Sequence, residues 1–409
     1  MRISVGGVKV EVPDKTTQSA ESGLPKELEE TREAASRAIL PIKPADAATV
    51  DERFIWYGDR TEAGRRLPAY YRVYFLLIEL LGFRDLGPDE KVAWSVPVVF
   101  EGQIYSIAHR KMGLGLFVPN AKAEEERAQR IVYLIHKGVK AAEPYFEWLA
   151  EQAIQKSELN VANNSAWLYE RYQYLRDAFR NMIAEAEARK DERQVSKADN
   201  GTVTITPGPW FVLKKQADWM ALSAIEAFFS WTEHVFIHLA ILNGRVTSGK
   251  QVTELIKADW QEKFKQALDL SEKETKLIFD DLLIIRDQLR NFVAHGAFGK
   301  AGEAFDFHSG AGAVPIVLIH RRDKYRYSVT DPISLSDEAA IATIEKFIVQ
   351  LWSGAREPAR IYIQKSRLPL ILTMASDGSY ARAMRSADDM NDLVEFLSRS
   401  FDAAANMDW

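Results

Sequence analysis

The sequence predicts a mainly helical α+β protein of more than one domain: an N-terminal α+β domain, a helical bundle with a small β insertion, and a short α/β tail. Three observations predict it. A chain of 409 residues is longer than one ordinary core supports. Long stretches place apolar residues three and four apart, the period of a half-buried helix. Short alternating runs bounded by glycine occur at two separate places, the pattern of strands. Hydrophobic residues make up 47% and aromatics 11%, enough to bury a sizeable core.

The elements follow in order. Residues 1–12 alternate apolar and polar and predict a strand. Residues 13–50 hold few large apolar side chains and predict a tether, with one short helix near 25–38. A packed domain starts near Phe54-Ile55-Trp56-Tyr57. The run Leu67 to Leu81 predicts a buried helix opened by Pro68. Val92–Phe100 and Gln103–Ala108 read as strands joined at Glu101-Gly102, with Leu114–Val118 a third. Two helices follow, about 122–156 and 163–190. The second carries Trp167, Leu168, Tyr174, Leu175, Phe179 and Met182 near helical spacing, which predicts one packed face.

The polar stretch Lys190–Asn200, with Pro207-Gly208-Pro209 after it, marks the expected boundary. The expected domains are thus 1–50 (strand and tether), 51–200 (α+β), 208–354 (helical) and 355–409 (α/β tail). The helical domain reads as helices at about 215–242, 251–268 and 272–298, strands near 303–307, 314–320 and 324–329, and a helix over 336–352. Ser336 before Asp337 and Glu338 is a helix start, since a serine oxygen caps free N–H groups and acids complement the helix dipole. The tail reads as a hairpin (Ile361–Gln364, Leu368–Thr373) and a helix over 386–402.

Composition excludes several functions. With no cysteine there is no disulfide, thiolate metal site or cysteine nucleophile. A net charge of −5 argues against coating nucleic acid nonspecifically, so such a partner would have to be held by a local basic surface. The first fifteen residues lack the apolar core of a signal peptide, and the run VFIHLAIL is too short to span a bilayer. The expectation is a cytoplasmic protein with no membrane contact.

One segment carries identifiable chemistry. In 272–298, Ile278, Leu282, Ile285, Leu289 and Phe292 form an apolar stripe. Asp287, Asn291 and His295 form a polar one, flanked by Arg290 and ending in His295-Gly296. Arg290-Asn291-Phe292-Val293-Ala294-His295 resembles the HEPN signature, R-(N/D/H)-x-x-x-H, and the resemblance covers roughly 210–354. It implies a compact helical bundle that dimerises and cleaves RNA without a metal or other cofactor, in bacterial antiphage defence or a toxin system. The alternative is a non-catalytic HEPN module used for dimerisation or partner binding.

The residue types suit such chemistry. The ribose 2′-OH is an internal nucleophile, already in place. Histidine titrates near neutrality and can carry the proton, and arginine can hold the phosphate bidentately. Asn291, one turn from His295, could fix its ring or bind the phosphate. On one helix Arg290 and His295 point about 140° apart, from the ~100° per residue of an α-helix, so a second subunit would help both reach one phosphate.

Other candidates rank lower. The basic turn His320–Tyr327 interleaves cations and tyrosines, making Arg321, Arg322, Lys324, Tyr325 and Tyr327 candidate RNA contacts. Arg356–Arg385 holds six Lys/Arg against two acids and is a second basic surface. Gly244–Lys250 matches GxxxxGK, but Gln251 replaces the magnesium-binding hydroxyl and a helix precedes it, so a turn is expected. His234 and His238 have i, i+4 spacing without a third ligand, which points to packing in the bundle or to the RNA cleft. Glu226 and Glu233 could orient the motif. His109 and His136 read as structural.

Overall fold

The computed structural model describes residues 2–5, 8–11, 25–45, 58–197, 203–294, 303–321, 324–329 and 336–407. Phe54–Tyr57 and, of the expected tether, residues 13–24 and 46–50 lie outside them. The chain is a mainly helical α+β protein that divides into two compact units, residues 1–151 with 402–409, and residues 152–401.

The first unit opens with the antiparallel pair β1 (Arg2–Val5) and β2 (Val8–Glu11), where the sequence suggested one strand. In α1 (Lys26–Ile39) Leu28, Thr31, Ala35 and Ile39 recur every three or four residues and are buried. Its sheet has the order β3-β5-β6-β7-β4, antiparallel throughout, from β3 (Lys43–Pro44), β4 (Asp59–Arg60), β5 (Val92–Phe100), β6 (Gln103–Arg110) and β7 (Gly113–Val118). Glu101 and Gly102 both have positive φ, 50° and 78°, as the two-residue turn between twisted strands requires. Between β4 and β5, α2 (Tyr70–Tyr74) widens into a π-helical turn over Phe75–Leu80.

One sheet face, with Val96, Val98, Phe100, Tyr105, Ile107, Leu116 and Val118, shares a core with α1, α2 and α3 (Ala121–Ala141). Gly138 sets the approach of α3 to α1, since a Cβ there would lie 2.4 Å from Ile39 Cγ2. The single helix expected over 122–156 is two, because Pro144 starts a new one: α4 (Glu143–Lys156). His109 stacks on Tyr70 at 4.1 Å, and His136 Nε2 lies 2.8 Å from the Arg66 carbonyl oxygen.

The second unit is built on α6 (Trp210–Leu242), 33 residues long and buried on nearly every side from Ala224 onward. A helix apolar all round must be the centre of its bundle. Before it come β8 (Asn160–Val161), α5 (Ser165–Ala188) and the hairpin β9 (Arg193–Lys197) and β10 (Val203–Pro207). Tyr172 and Tyr169 of α5 meet Phe228 and Trp231 of α6 at 6.0 and 4.8 Å between ring centres. Within the stretch expected to be the domain boundary, Arg193–Lys197 pairs with Val203–Pro207, and residues 198–202 lie outside the described residues.

After α6 come α7 (Gly249–Lys257), α8 (Trp260–Ala267) and α9 (Lys273–Ala294). The helix expected over 251–268 breaks at Asp259, whose carboxylate accepts the Glu262 N–H at 2.8 Å and starts a new helix. A three-stranded antiparallel sheet follows: β11 (Glu303–Ser309), β12 (Gly312–Arg321) and β13 (Lys324–Ser328). Ser336 caps α10 (Asp337–Leu351) as expected, its hydroxyl oxygen accepting the Ala339 N–H at 3.1 Å.

The expected C-terminal hairpin does not form. After α11 (Glu357–Arg360), Ile361–Ser366 is a π-helical turn with Ile361, Tyr362 and Ile363 all buried. Tyr362 donates to the Pro369 carbonyl at 2.8 Å and meets the Tyr380 hydroxyl at 3.2 Å. β14 (Leu370–Ile371) pairs with β8 instead. The chain closes with α12 (Leu372–Ser376), α13 (Ser379–Ala383) and α14 (Ala387–Asn406), with Met390 and Leu397 in the bundle core. The tail belongs to the bundle.

Candidate functional site

The motif helix is positioned by its inner face. Ile278, Phe279, Leu282 and Ile285 of α9 are buried, the ring of Phe279 stacking on Trp260 at 6.0 Å and meeting Phe264 at 4.8 Å. Ile278, Leu282 and Ile285 are the first three members of the predicted stripe; the side chains of Leu289 and Phe292 lie outside the described residues. On the outer face Leu277 is 57% and Ile284 40% exposed, with exposed Asp281 between them. Spacings of four and three put these on one stripe, and seven residues past Ile284 the same helix reaches Asn291.

Arg290 and Asn291 lie on the last turn and a half of α9. Their side chains, and all of His295 and Gly296, are outside the described residues. Of the RNA-contact candidates, Arg321 ends β12 and Lys324, Tyr325 and Tyr327 lie on β13. The register sets Arg321 opposite Lys324, His320 opposite Tyr325 and Leu318 opposite Tyr327. Their side chains and the whole of Arg322 are likewise outside the description.

Several weaker candidates resolve into structural roles. Glu233 pairs with the nearly buried Lys263 at 2.7 Å, and Glu226 is exposed on α6. Of Gly244–Lys250, Gly244–Ser248 joins α6 to α7, and Gly249 and Lys250 open α7. Ser248 there forms a capping box with Gln251, which accounts for the glutamine at that position. In the basic stretch, Arg356 donates to the carbonyls of Gln350 and Leu351, Arg382 to Ser379 Oγ, and Arg385 lies 3.7 Å from Asp389. Arg360, Lys365 and Arg367 stay exposed.

His234 and His238 pack within the bundle, their rings 4.2 Å apart. His234 Nε2 accepts the Asn164 N–H at 2.9 Å, which requires it to be unprotonated. Burial, with His238 beside it, pushes His234 down to about 3. His238 is buried with Nδ1 2.8 Å from the His234 carbonyl and Nε2 3.1 Å from that of Ala162. Burial brings it down to about 4, although both carbonyls favour the charged ring. All the contacting nitrogens face backbone groups, so the pair is not presented to a metal. Among the described residues no group of His, Asp and Glu gathers in a way that could hold one.

The same corner carries a polar cluster that periodicity did not reveal. Asn163 Nδ2 donates to the carbonyls of Ile363 and Leu368, Ser165 Oγ to Gln364 Oε1 at 2.7 Å, and Trp231 Nε1 to Ser165 Oγ at 3.2 Å. It ties the start of α5 to the π-helical turn. Outside it, Trp167 and Tyr174 are 65% and 74% exposed, although the sequence placed them on the packed face of α5. The buried stripe is Tyr172, Phe179 and Ala186. The missed signal is Arg171 and Glu170, charged residues on the same stripe as Trp167 and Tyr174.

No protein-family profile, curated protein or solved structure matches this chain. Among the described residues no helix is long and apolar enough to cross a membrane.

Proposed function

We propose that this chain is a metal-independent endoribonuclease of the HEPN type, acting as a homodimer in the bacterial cytoplasm in antiphage defence or a toxin system. The observation that carries the reading is the setting of the motif. Arg290 and Asn291 sit at the end of a bundle helix whose outer stripe exposes the apolar side chains of Leu277 and Ile284 on either side of Asp281. A second copy laid on that stripe covers it and brings two motifs near each other, as a two-fold contact does.

In the proposed reaction the ribose 2′-oxygen attacks the adjacent phosphorus and the 5′-oxygen leaves. The products carry a 2′,3′-cyclic phosphate and a 5′-OH. His295 handles the proton, Arg290 stabilises charge on the phosphoryl oxygens, and Asn291 orients one of them. The hairpin bearing Arg321, Arg322, Lys324, Tyr325 and Tyr327 holds flanking RNA, and the first unit senses a trigger or partner. The test is expression of the wild type beside His295→Ala with sequencing of RNA ends: new 5′-OH ends in the wild type alone support the reading. The same exposed stripe also suits a dimerisation module without activity, which would leave RNA intact in both.

A further inference from the structure

The outward face of α5 leaves two aromatic rings exposed. Trp167, Glu170, Arg171 and Tyr174 recur at i, i+3, i+4 and i+7, so they share one stripe, with the rings about 10 Å apart along the axis. Both rings are mostly exposed. Arg171 is exposed between them.

A second element adds charge to this face. The cluster of Asn163, Ser165 and Gln364 fixes residues 360–368 against the start of α5, and Arg367 reaches Glu170 at 2.7 Å. Arg360 and Lys365 are exposed. Residues 165–174 and 357–367 together hold Arg171, Arg360, Lys365 and Arg367 against Glu170 and Glu357, in a chain of net charge −5. The surface is locally cationic on an acidic protein.

We propose that this face is a ledge that binds a single-stranded RNA chain, with bases stacked on Trp167 and Tyr174 and phosphates on Arg171 and Lys365. Flat rings take any base, and cations between them match a backbone that carries one charge per nucleotide. A second copy fits less well, because a two-fold contact would set this cationic face against itself. The inference rests on the reading of the protein as RNA-cleaving and gives that activity a substrate-holding surface outside the motif.

The test uses full-length His295→Ala protein, a fluorescently labelled oligouridylate, and anisotropy titrations over a range of salt. Replacing Trp167 or Tyr174 by alanine is expected to weaken binding by at least about five-fold per ring, with Trp167→Phe restoring most of it. Arg171→Gln with Lys365→Gln should lower the slope of log affinity against log salt by about 1.4, near 0.7 for each contact. Unchanged affinity in the alanine variants, or no binding by the parent protein, overturns the ledge. So does a shift in oligomer size by light scattering, which would make this face a contact between copies. Cleavage by the wild type with these variants unaffected keeps the ribonuclease reading and removes the ledge. Loss of binding in the variants of a protein that never cleaves RNA keeps the ledge and removes the nuclease.

Discussion

His234 accepts a backbone N–H through a ring nitrogen that protonation would block, and His238 stands buried beside it. Both rings titrate lower in the folded chain than the ordinary value near 6.5, because burial penalises the charged form. The unfolded chain then binds more protons between pH 6.5 and pH 3–4. Their contribution is fully present above pH 6.5 and is lost as pH falls below it. Urea unfolding should show stability dropping by up to about 1.4 kcal/mol per pH unit for each ring, reached about one pH unit below that value, where the unfolded ring is charged and the folded one is neutral. His234→Gln should flatten this acid limb by about half; a limb of unchanged slope would show that the ring does not titrate this way. At the proposed catalytic residues, His295→Ala should lower cleavage by roughly 10²–10⁴-fold. Arg290→Ala should lower it by about 10²–10³-fold, with the circular dichroism of both variants unchanged. Cleavage should also persist in EDTA. Near-wild-type rates in either variant, or activity lost on chelation and restored by magnesium, would overturn the assignment.

Helices and strands in this protein are set largely by local signals, and their junctions by side chains with a local job. Asp259 and Ser336 start helices by accepting a free N–H, and Pro144 starts one because it cannot continue the helix before it. Where two helices cross closely, a single atom matters. Gly138→Ala should push α3 away from Ile39 and Leu76 and destabilise the first unit by about 1–3 kcal/mol, the usual cost of overpacking. Thermal unfolding followed by calorimetry would register this as a lowered transition; an unaltered melting profile would mean that α1 and α3 have slack. The element that the sequence misread, Ile361–Gln364, shows the limit of local signals. Its alternating isoleucines look like a strand, but the tyrosine between them finds hydroxyl and carbonyl partners inside the bundle, and all three residues are buried.

For the whole molecule, the question is how many copies work together. Replacing exposed Leu277 and Ile284 by glutamate should leave the fold intact, since neither is in the core, and should convert a dimer into a monomer by light scattering. Cleavage should fall with it. Mixing His295→Ala with Arg290→Ala subunits should recover part of the activity if one cleft draws on both chains. A wild type that is monomeric at working concentration and still cleaves RNA would refute the shared cleft.

Sequence alone settled what is local. The helices read at about 25–38, 163–190, 215–242 and 336–352, which the structure sets at 26–39, 165–188, 210–242 and 337–351, and the strands joined at Glu101-Gly102, were readable because periodicity, caps and turn glycines act within a few residues. The match of Arg290–His295 to the HEPN signature is likewise local, six consecutive residues, and the activity read from it is a proposal. Tertiary packing decided which apolar stripe becomes core and where the units divide. Two stripes compete on α5, and burial goes to Tyr172, Phe179 and Ala186, because α6 offers Phe228 and Trp231 to that side. Trp167 and Tyr174 are left outside with Arg171 between them. Hydrophobicity belongs to the residue, but burial belongs to the pair, and the partner lies dozens of residues away along the chain.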